Sequence, residues 1–174
     1  VLSEGGALFL LTKEKTENTI CEITKYAMTN DAFQVVAPHP EGKHIERCMS
    51  QCIDSKPDLI NAHATSTPMG DVVELDAINR LGMEDVYITA NKSQLGHMMG
   101  AAGAVETAIS AMSLVNNTIT PSLNIDILED RYKPKYVLTT TDNDLRFYKL
   151  KRYNKKIKCL DLTENIKNYG FHGW

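Results

Sequence analysis

The sequence predicts an α/β fold, and three observations carry that expectation. Short apolar runs that read as strands alternate with segments of helical period. Clusters of Gly, Pro, Ser, Thr and Asn separate them. With 174 residues, 43% of them hydrophobic, the chain holds enough apolar material for one globular domain or a large piece of one.

Taken in order, "GALFLLTKE" (6–14) reads as a strand entering a turn, and "ICEITKYAMT" (20–29) as a second strand. "VVAPHPEG" is a loop punctuated by Pro and Gly. From Lys43 to Ser55 the apolar residues Ile45, Cys48, Met49, Cys52 and Ile53 repeat at the spacing of an amphipathic helix, which Lys56-Pro57 ends. "DLINAH" (58–63) is a short buried strand, and "GDVVELDAINRLG" (70–82) a helix with Gly82 just past its end. "VYITA" (86–90) is another short strand. A helix is expected from about Met98 to Asn116, apolar all round and therefore buried, with Gly103 and its neighbouring alanines allowing close backbone approach. "TITPSLNID" (118–126), "KYVLTTT" (135–141) and "KIKCLDLT" (156–163) complete the strand candidates, with Pro121 near an edge or bulge.

A formal charge of −3 argues against a general nucleic-acid surface. One basic cluster, "RFYKLKRYNKKIK" (146–158), carries aromatics that could stack bases, but a solvated Lys-rich hairpin or insertion is the commoner outcome for such a run, so no nucleic-acid partner is expected. No apolar run reaches the roughly 18 residues of a membrane span, and no targeting peptide is visible in "VLSEGGALFLL". Cys21, Cys48, Cys52 and Cys159 form neither a CxxC pair nor a disulfide framework, as suits reduced thiols. None of the four stands where a helix N-terminus or neighbouring His would make a reactive thiolate. His44, Cys48 and Cys52, spaced at i, i+4 and i+8, could hold zinc or simply pack a helix.

Two polar stretches carry the chemistry. In "NAHATSTPMGD" (61–71), His63 follows a strand and should emerge at its C-terminal end, where open α/β sheets place ligands. The same stretch also suits a capping loop in which Thr65, Ser66 and Thr67 satisfy backbone groups and Gly70-Asp71 starts a helix. In "NKSQLGHMMGAAGAVE" (91–106), Lys92 and His97 follow the next strand, with His97 close to a helix start whose free N–H groups favour negative charge. Two imidazoles and an ammonium group that converge can stabilise an oxyanion or enolate, the requirement of carbon–carbon bond formation.

This pair of stretches, in this order, resembles the two histidine motifs of the β-ketoacyl-[acyl carrier protein] synthases, condensing enzymes of the thiolase-like layered αβαβα fold. "SEGGALFLL" is similar to that family's glycine-rich strand, "PSLNID" to its proline-containing strand, and "NYGFHGW" to an altered form of its GFGG loop. "APHPEGKHIERCM" resembles mitochondrial-type members. The resemblance implies a decarboxylative Claisen condensation in fatty acid elongation, with His63 and His97 assisting malonyl decarboxylation and Lys92 holding the electrostatics of the site. It implies that Thr65 and Thr67 contact the pantetheine arm, that Glu106 supports the site, and that Phe171 gates it and lends a backbone N–H. An acyl carrier protein partner, a homodimer, no metal or other cofactor, and a mitochondrial matrix location follow as expectations, with plastid or bacterial cytoplasm as the alternatives.

On this resemblance, residues 1–20 end the N-terminal half and 21–174 form an incomplete C-terminal half, with a basic insertion at about 141–158. The family's nucleophilic cysteine is then expected outside this chain, so the chain alone is not expected to be active. Asn91 stands where the family has Thr or Ser, and His172 and Trp174 stand where it has glycines. The altered terminal loop supports a second expectation, a catalytically inactive relic serving as a structural subunit of a larger assembly.

Overall fold

The computed structural model describes residues 1–125 together with 135–136, 148–149 and 159–161. Its first regular element is helix α1 (Lys43–Cys52), entered through Gly42 at φ 60°. The predicted apolar stripe faces inward: Met49 is buried, and Ile45 and Ile53 pack on the same core. The helix stops before Ser55 because Ile53 is already extended, which sends the chain toward buried Pro57 and the first strand.

Strand β1 (Leu59–Asn61) and strand β2 (Tyr87–Thr89) pair in parallel, Ile60 opposite Ile88, and helix α2 (Gly70–Arg80) crosses between them. This is a βαβ unit, and it explains why the β1 run is short and buried throughout: Leu59, Ile60 and Asn61 are all buried. Short strands β4 (Lys135–Tyr136) and β6 (Cys159–Asp161) add in parallel at the edges, giving the order β4-β2-β1-β6. Helix α2 buries Ala77 and Ile78 against Ile60 and Ile88, and Val73 is buried beside them in sequence. Gly82, at φ 67°, closes the helix as predicted, its N–H donating to the Asn79 carbonyl at 2.9 Å.

After β2 the chain forms a short helix α3 (Lys92–Leu95), a 3₁₀ turn (Met99–Ala101) and helix α4 (Ala102–Asn116). The predicted long helix is thus real but starts later. Burial all round is overturned. Met112 is 51% exposed and Val115 50%, and the buried side carries Ala102, Glu106, Ser110 and Ser113. A stripe of small and polar residues needs polar partners, and these turn out to be the strand ends (below). Gly103, expected at a close backbone contact, is half-buried. Strand β3 (Thr118–Ile119) pairs antiparallel with β5 (Tyr148–Lys149), so the predicted strand stops before Pro121. The remainder of the basic stretch at 146–158 lies outside the described residues.

The strands predicted at 6–14 and 20–29 do not form. A strand holds its shape through ladder bonds to a neighbour, and these segments find none among the described residues; Leu8 and Leu10 remain 96% and 90% exposed. Pairing occurs instead at the extreme N-terminus, where Leu2 bridges His97 in parallel. The His97 N–H donates to the Val1 carbonyl at 2.9 Å, and the Ser3 N–H to the His97 carbonyl at 3.0 Å. Among the described residues no helix is long and apolar enough to cross a membrane.

Gly96 makes that bridge possible. It sits at φ 75°, ψ 178°, a conformation restricted to glycine, and an added Cβ would lie 2.8 Å from Ser3 Cβ. Gly96→Ala is therefore expected to push Val1–Ser3 off and to destabilise by on the order of 1–3 kcal/mol. A lower urea midpoint with faster exchange of the Ser3 and His97 amides checks this; an unchanged midpoint contradicts it.

Candidate functional site

Parallel pairing brings the ends of β1 and β2 side by side, so the two polar loops leave the same edge of the sheet. Beyond β1, the Ala62 N–H continues the ladder to the Thr89 carbonyl at 2.8 Å, and His63 follows. Its backbone N–H donates to Glu74 Oε1 at 2.8 Å, and the next N–H, of Ala64, donates to Oε2 at 2.9 Å. The loop then winds through left-handed conformations at Ala64 (φ 35°) and Ser66 (φ 61°). Asp71 Oδ1 accepts the Ser66 and Thr67 N–H groups at 3.1 and 3.4 Å, and Thr67 Oγ1 accepts the Gly70 N–H at 3.2 Å. Of the expected capping residues Thr67 satisfies the first helical N–H, while the loop's own N–H groups are taken by Asp71 from within α2 and the N-cap residue Met69 has no side-chain cap. Thr65 Oγ1 lies 3.2 Å from Thr67 Oγ1, with Thr65 half-buried and Thr67 exposed.

On the second loop, Lys92 Nζ donates to Glu106 Oε1 at 2.6 Å, and both side chains are buried, 5% and 3% exposed. The buried stripe of α4 supplies this partner. The same stripe receives Asn61, whose Nδ2 donates to the Glu106 carbonyl at 3.1 Å and to Ser110 Oγ at 3.0 Å. Asn91 Nδ2 donates to Asn61 Oδ1 at 3.0 Å, and Thr120 Oγ1 to Asn91 Oδ1 at 2.6 Å. A chain of buried amides and hydroxyls therefore ties β1, the residue before Lys92, and the segment after β3 together.

The imidazoles of His63 and His97 meet edge to face, ring centroids 5.5 Å apart at 84°. His97 Nδ1 accepts the Met99 N–H at 3.3 Å, so a neutral His97 carries its proton on Nε2, free to serve as a donor. The 3₁₀ turn separates His97 from α4, so the helix-terminus effect expected at His97 is displaced to Ala102. Burial, reinforced by the charges of Lys92 and His97, lowers the His63 pKa to about 3, which leaves the ring neutral at ordinary pH. A neutral imidazole beside a buried ammonium can donate one hydrogen bond and accept another without carrying net charge itself.

Phe171, His172 and Trp174 lie outside the described residues. Cys21, Cys48 and Cys52 are half-buried free thiols. Burial raises the Cys52 pKa, which disfavours its thiolate, and Cys48 Sγ–H donates to the Ala27 carbonyl at 3.5 Å. His44, Cys48 and Cys52 do not converge, and no other trio of His, Cys, Asp or Glu among the described residues could hold a metal ion.

Sequence reasoning missed Glu74, Asn61 and Thr120. The legible signal for Glu74 was an acidic residue inside the buried stripe of α2, between Val73 and Ala77. Burial raises its pKa to about 7 against the lowering effect of the two N–H donors.

Glu74 and His63 bear on stability with opposite signs. The folded state keeps Glu74 protonated to higher pH than the unfolded chain, so its contribution is present below pH 4.5 and lost as pH rises through 7. The folded state resists protonating His63, so its contribution is present above pH 6.5 and lost as pH falls toward 3. In Glu74→Gln, which does not titrate, the first contribution disappears. Relative to the parent, stability of the variant should then rise between pH 4.5 and 7 by on the order of 3 kcal/mol. Urea titrations across that range measure it, and a difference that stays constant with pH contradicts it.

The family described as "Beta-ketoacyl synthase, C-terminal domain" matches residues 20–126. 3-Oxoacyl-[acyl-carrier-protein] synthase 1 of Haemophilus influenzae is 40% identical over 152 residues, covering 81% of this chain and 36% of its own length. Synthase 1 of Escherichia coli K12 is 36% identical, with coverage of 83% and 38%. The chain thus spans little more than a third of these relatives. Among solved structures, a β-ketoacyl synthase of Burkholderia phymatum superposes with a TM-score of 0.60 at 27% identity, over 66% of this chain and 29% of that one. The complex AntDE:AntF, a type II polyketide synthase acyl-carrier protein with its ketosynthase, shares the fold at a TM-score of 0.61 and 24% identity, over 65% and 30%.

Proposed function

The chain belongs to the β-ketoacyl synthase family, by its C-terminal domain, and on that basis we propose that it is the enolate-stabilising part of a 3-oxoacyl-[acyl carrier protein] synthase. The observation that carries the proposal is the edge-to-face contact of His63 and His97 at 5.5 Å, beside the buried Lys92–Glu106 pair.

The reaction suits these groups. An acyl group held as a thioester on a cysteine outside this chain meets malonyl-carrier protein. Loss of CO2 leaves its electron pair on the malonyl α-carbon as an enolate, whose oxygen takes N–H donors from neutral His63 and from Nε2 of His97. The carbanion attacks the acyl thioester carbonyl, the cysteine thiolate departs, and 3-oxoacyl-carrier protein forms. In this proposal Lys92 keeps positive potential beside the developing charge, and Glu106 holds Lys92 in place. Thr65 and Thr67 contact the pantetheine arm, and Phe171 contributes a backbone N–H for the tetrahedral oxyanion.

Residues 1–20 end the nucleophile-bearing half, and 21–174 form the other, with the basic insertion at about 141–158. The acyl carrier protein is the partner. That AntDE:AntF is itself a carrier-protein complex supports this choice. A homodimer and a mitochondrial matrix location complete the proposal; the latter rests on the "APHPEGKHIERCM" stretch.

The test is a condensation assay on the protein that carries this segment with its upstream half, using malonyl-carrier protein labelled in the free carboxylate. Release of labelled CO2 together with two-carbon extension of the acyl chain is the expected result. A folded protein that binds the carrier yet releases no CO2 refutes the proposal and favours the structural relic, the reading that His172 and Trp174 support.

A further inference from the structure

We infer that Glu74 is a positioning residue: its ionised carboxylate clamps the backbone of His63 and Ala64, so the His63–His97 contact assembles when Glu74 is charged and loosens when it is protonated. The inference rests on the assignment of that pair as the working groups of the site.

The geometry is specific. Both oxygens of one carboxylate are used, each on a consecutive backbone N–H, at 2.8 and 2.9 Å. The loop they hold does not lie in a relaxed conformation. Ala64, the second residue of the clamp, sits at φ 35°, and Ser66 at φ 61°. Glu74 itself is anchored, because its neighbours Val73, Ala77 and Ile78 are buried in the helix that crosses between β1 and β2. The position of the His63 ring relative to His97 therefore depends on one side chain fixed to the core.

Protonation changes what that side chain can do. A carboxylate accepts at both oxygens, whereas a carboxylic acid turns one of them into an O–H donor. Faced with two N–H groups, the acid can satisfy only one well. The groups that bear on the equilibrium are Asp71, whose charge disfavours ionisation, and Lys92, whose charge favours it. His63 faces the carboxylate through its backbone and His97 and Lys92 through its ring, and Glu106 stands behind Lys92 as its partner. With burial as the dominant influence, the carboxyl titrates at about 7, inside the range in which enzymes work.

The test is a titration by nuclear magnetic resonance of the isotopically labelled chain from about pH 5 to about pH 9, a window spanning ordinary enzyme working pH. The amide protons of His63 and Ala64 should move downfield together as the carboxylate forms. The ring resonances of His63 should follow with the same midpoint, although His63 itself titrates far lower. Glu74→Gln should flatten all three curves, and Glu74→Asp, one methylene shorter, should not restore the pair of hydrogen bonds. Amides that ignore pH in the parent, or curves that survive in Glu74→Gln, overturn the inference. If Glu74→Gln does not fold, the parent titration decides alone. In the condensing protein, kcat for malonyl decarboxylation should fall on the order of ten- to a hundredfold in Glu74→Gln with KM little changed. If the resonances respond as stated but His63→Ala retains activity, the clamp stands and the assignment of the pair falls.

Discussion

Replacing His63 or His97 by Ala should lower malonyl decarboxylation by on the order of a hundred- to a thousandfold, because each removes a preorganised donor from the enolate oxygen. The two effects should not multiply. In the proposed mechanism both rings, 5.5 Å apart, serve one oxygen, so the double variant should be little worse than the more damaging single one. The fold should survive. His97 is half-buried, its backbone bonds to Val1 and Ser3 do not involve the ring, and the His63 N–H to Glu74 is also a backbone bond. Stopped assays of CO2 release, with circular dichroism as the folding control, measure this. Either single variant turning over at the parental rate sinks the roles proposed for the pair.

Glu106→Ala should be among the most destabilising single changes in the chain. It leaves the Lys92 ammonium buried with its carboxylate partner gone, and breaking such a pair costs about 3–5 kcal/mol. Lys92→Met combined with Glu106→Leu should recover most of that loss, since the penalty comes from an uncompensated charge more than from the worth of the pair. Asn61 bonds to the Glu106 backbone carbonyl, a contact that neither substitution removes. Urea unfolding of the single and double variants gives the coupling directly. If Glu106→Ala loses less than about 1 kcal/mol, the value typical of a solvated pair, the burial argued here is wrong.

Several parts of this molecule could be read locally because the information is local. Helix α1 declares itself by five apolar residues at helical spacing, and α2 by Gly82 beyond its end. The β1 and β2 runs are short and apolar because parallel strands in a crossover unit are covered on both faces. His63, Lys92 and His97 stood out because each follows such a run in a loop dense with polar groups.

What the chain alone could not decide was pairing. Leu8 to Leu11 have the composition of a strand, but strand structure depends on a neighbour's ladder bonds, and composition does not say whether a neighbour is there. The small-residue run of α4 looked buried on every side because hydropathy reports what a face tolerates. The contacts with Asn61 and Lys92 show that the polar side of the helix faces inward.

The sequence by itself determined the α/β class, the order of α1, β1, α2 and β2, and the candidate residues on the two loops, all encoded in periodicity and in the chemistry of adjacent positions. Only the tertiary structure decided that His63 and His97 touch, that Lys92 is paired with Glu106, and that Glu74 holds the His63 backbone. The reason is physical. These groups come from separate elements, and the parallel register of β1 with β2 and the placement of α2 and α4 against them set their distances. A pKa follows in turn from burial and from charges within a few ångströms, quantities that exist only once the chain has closed around them.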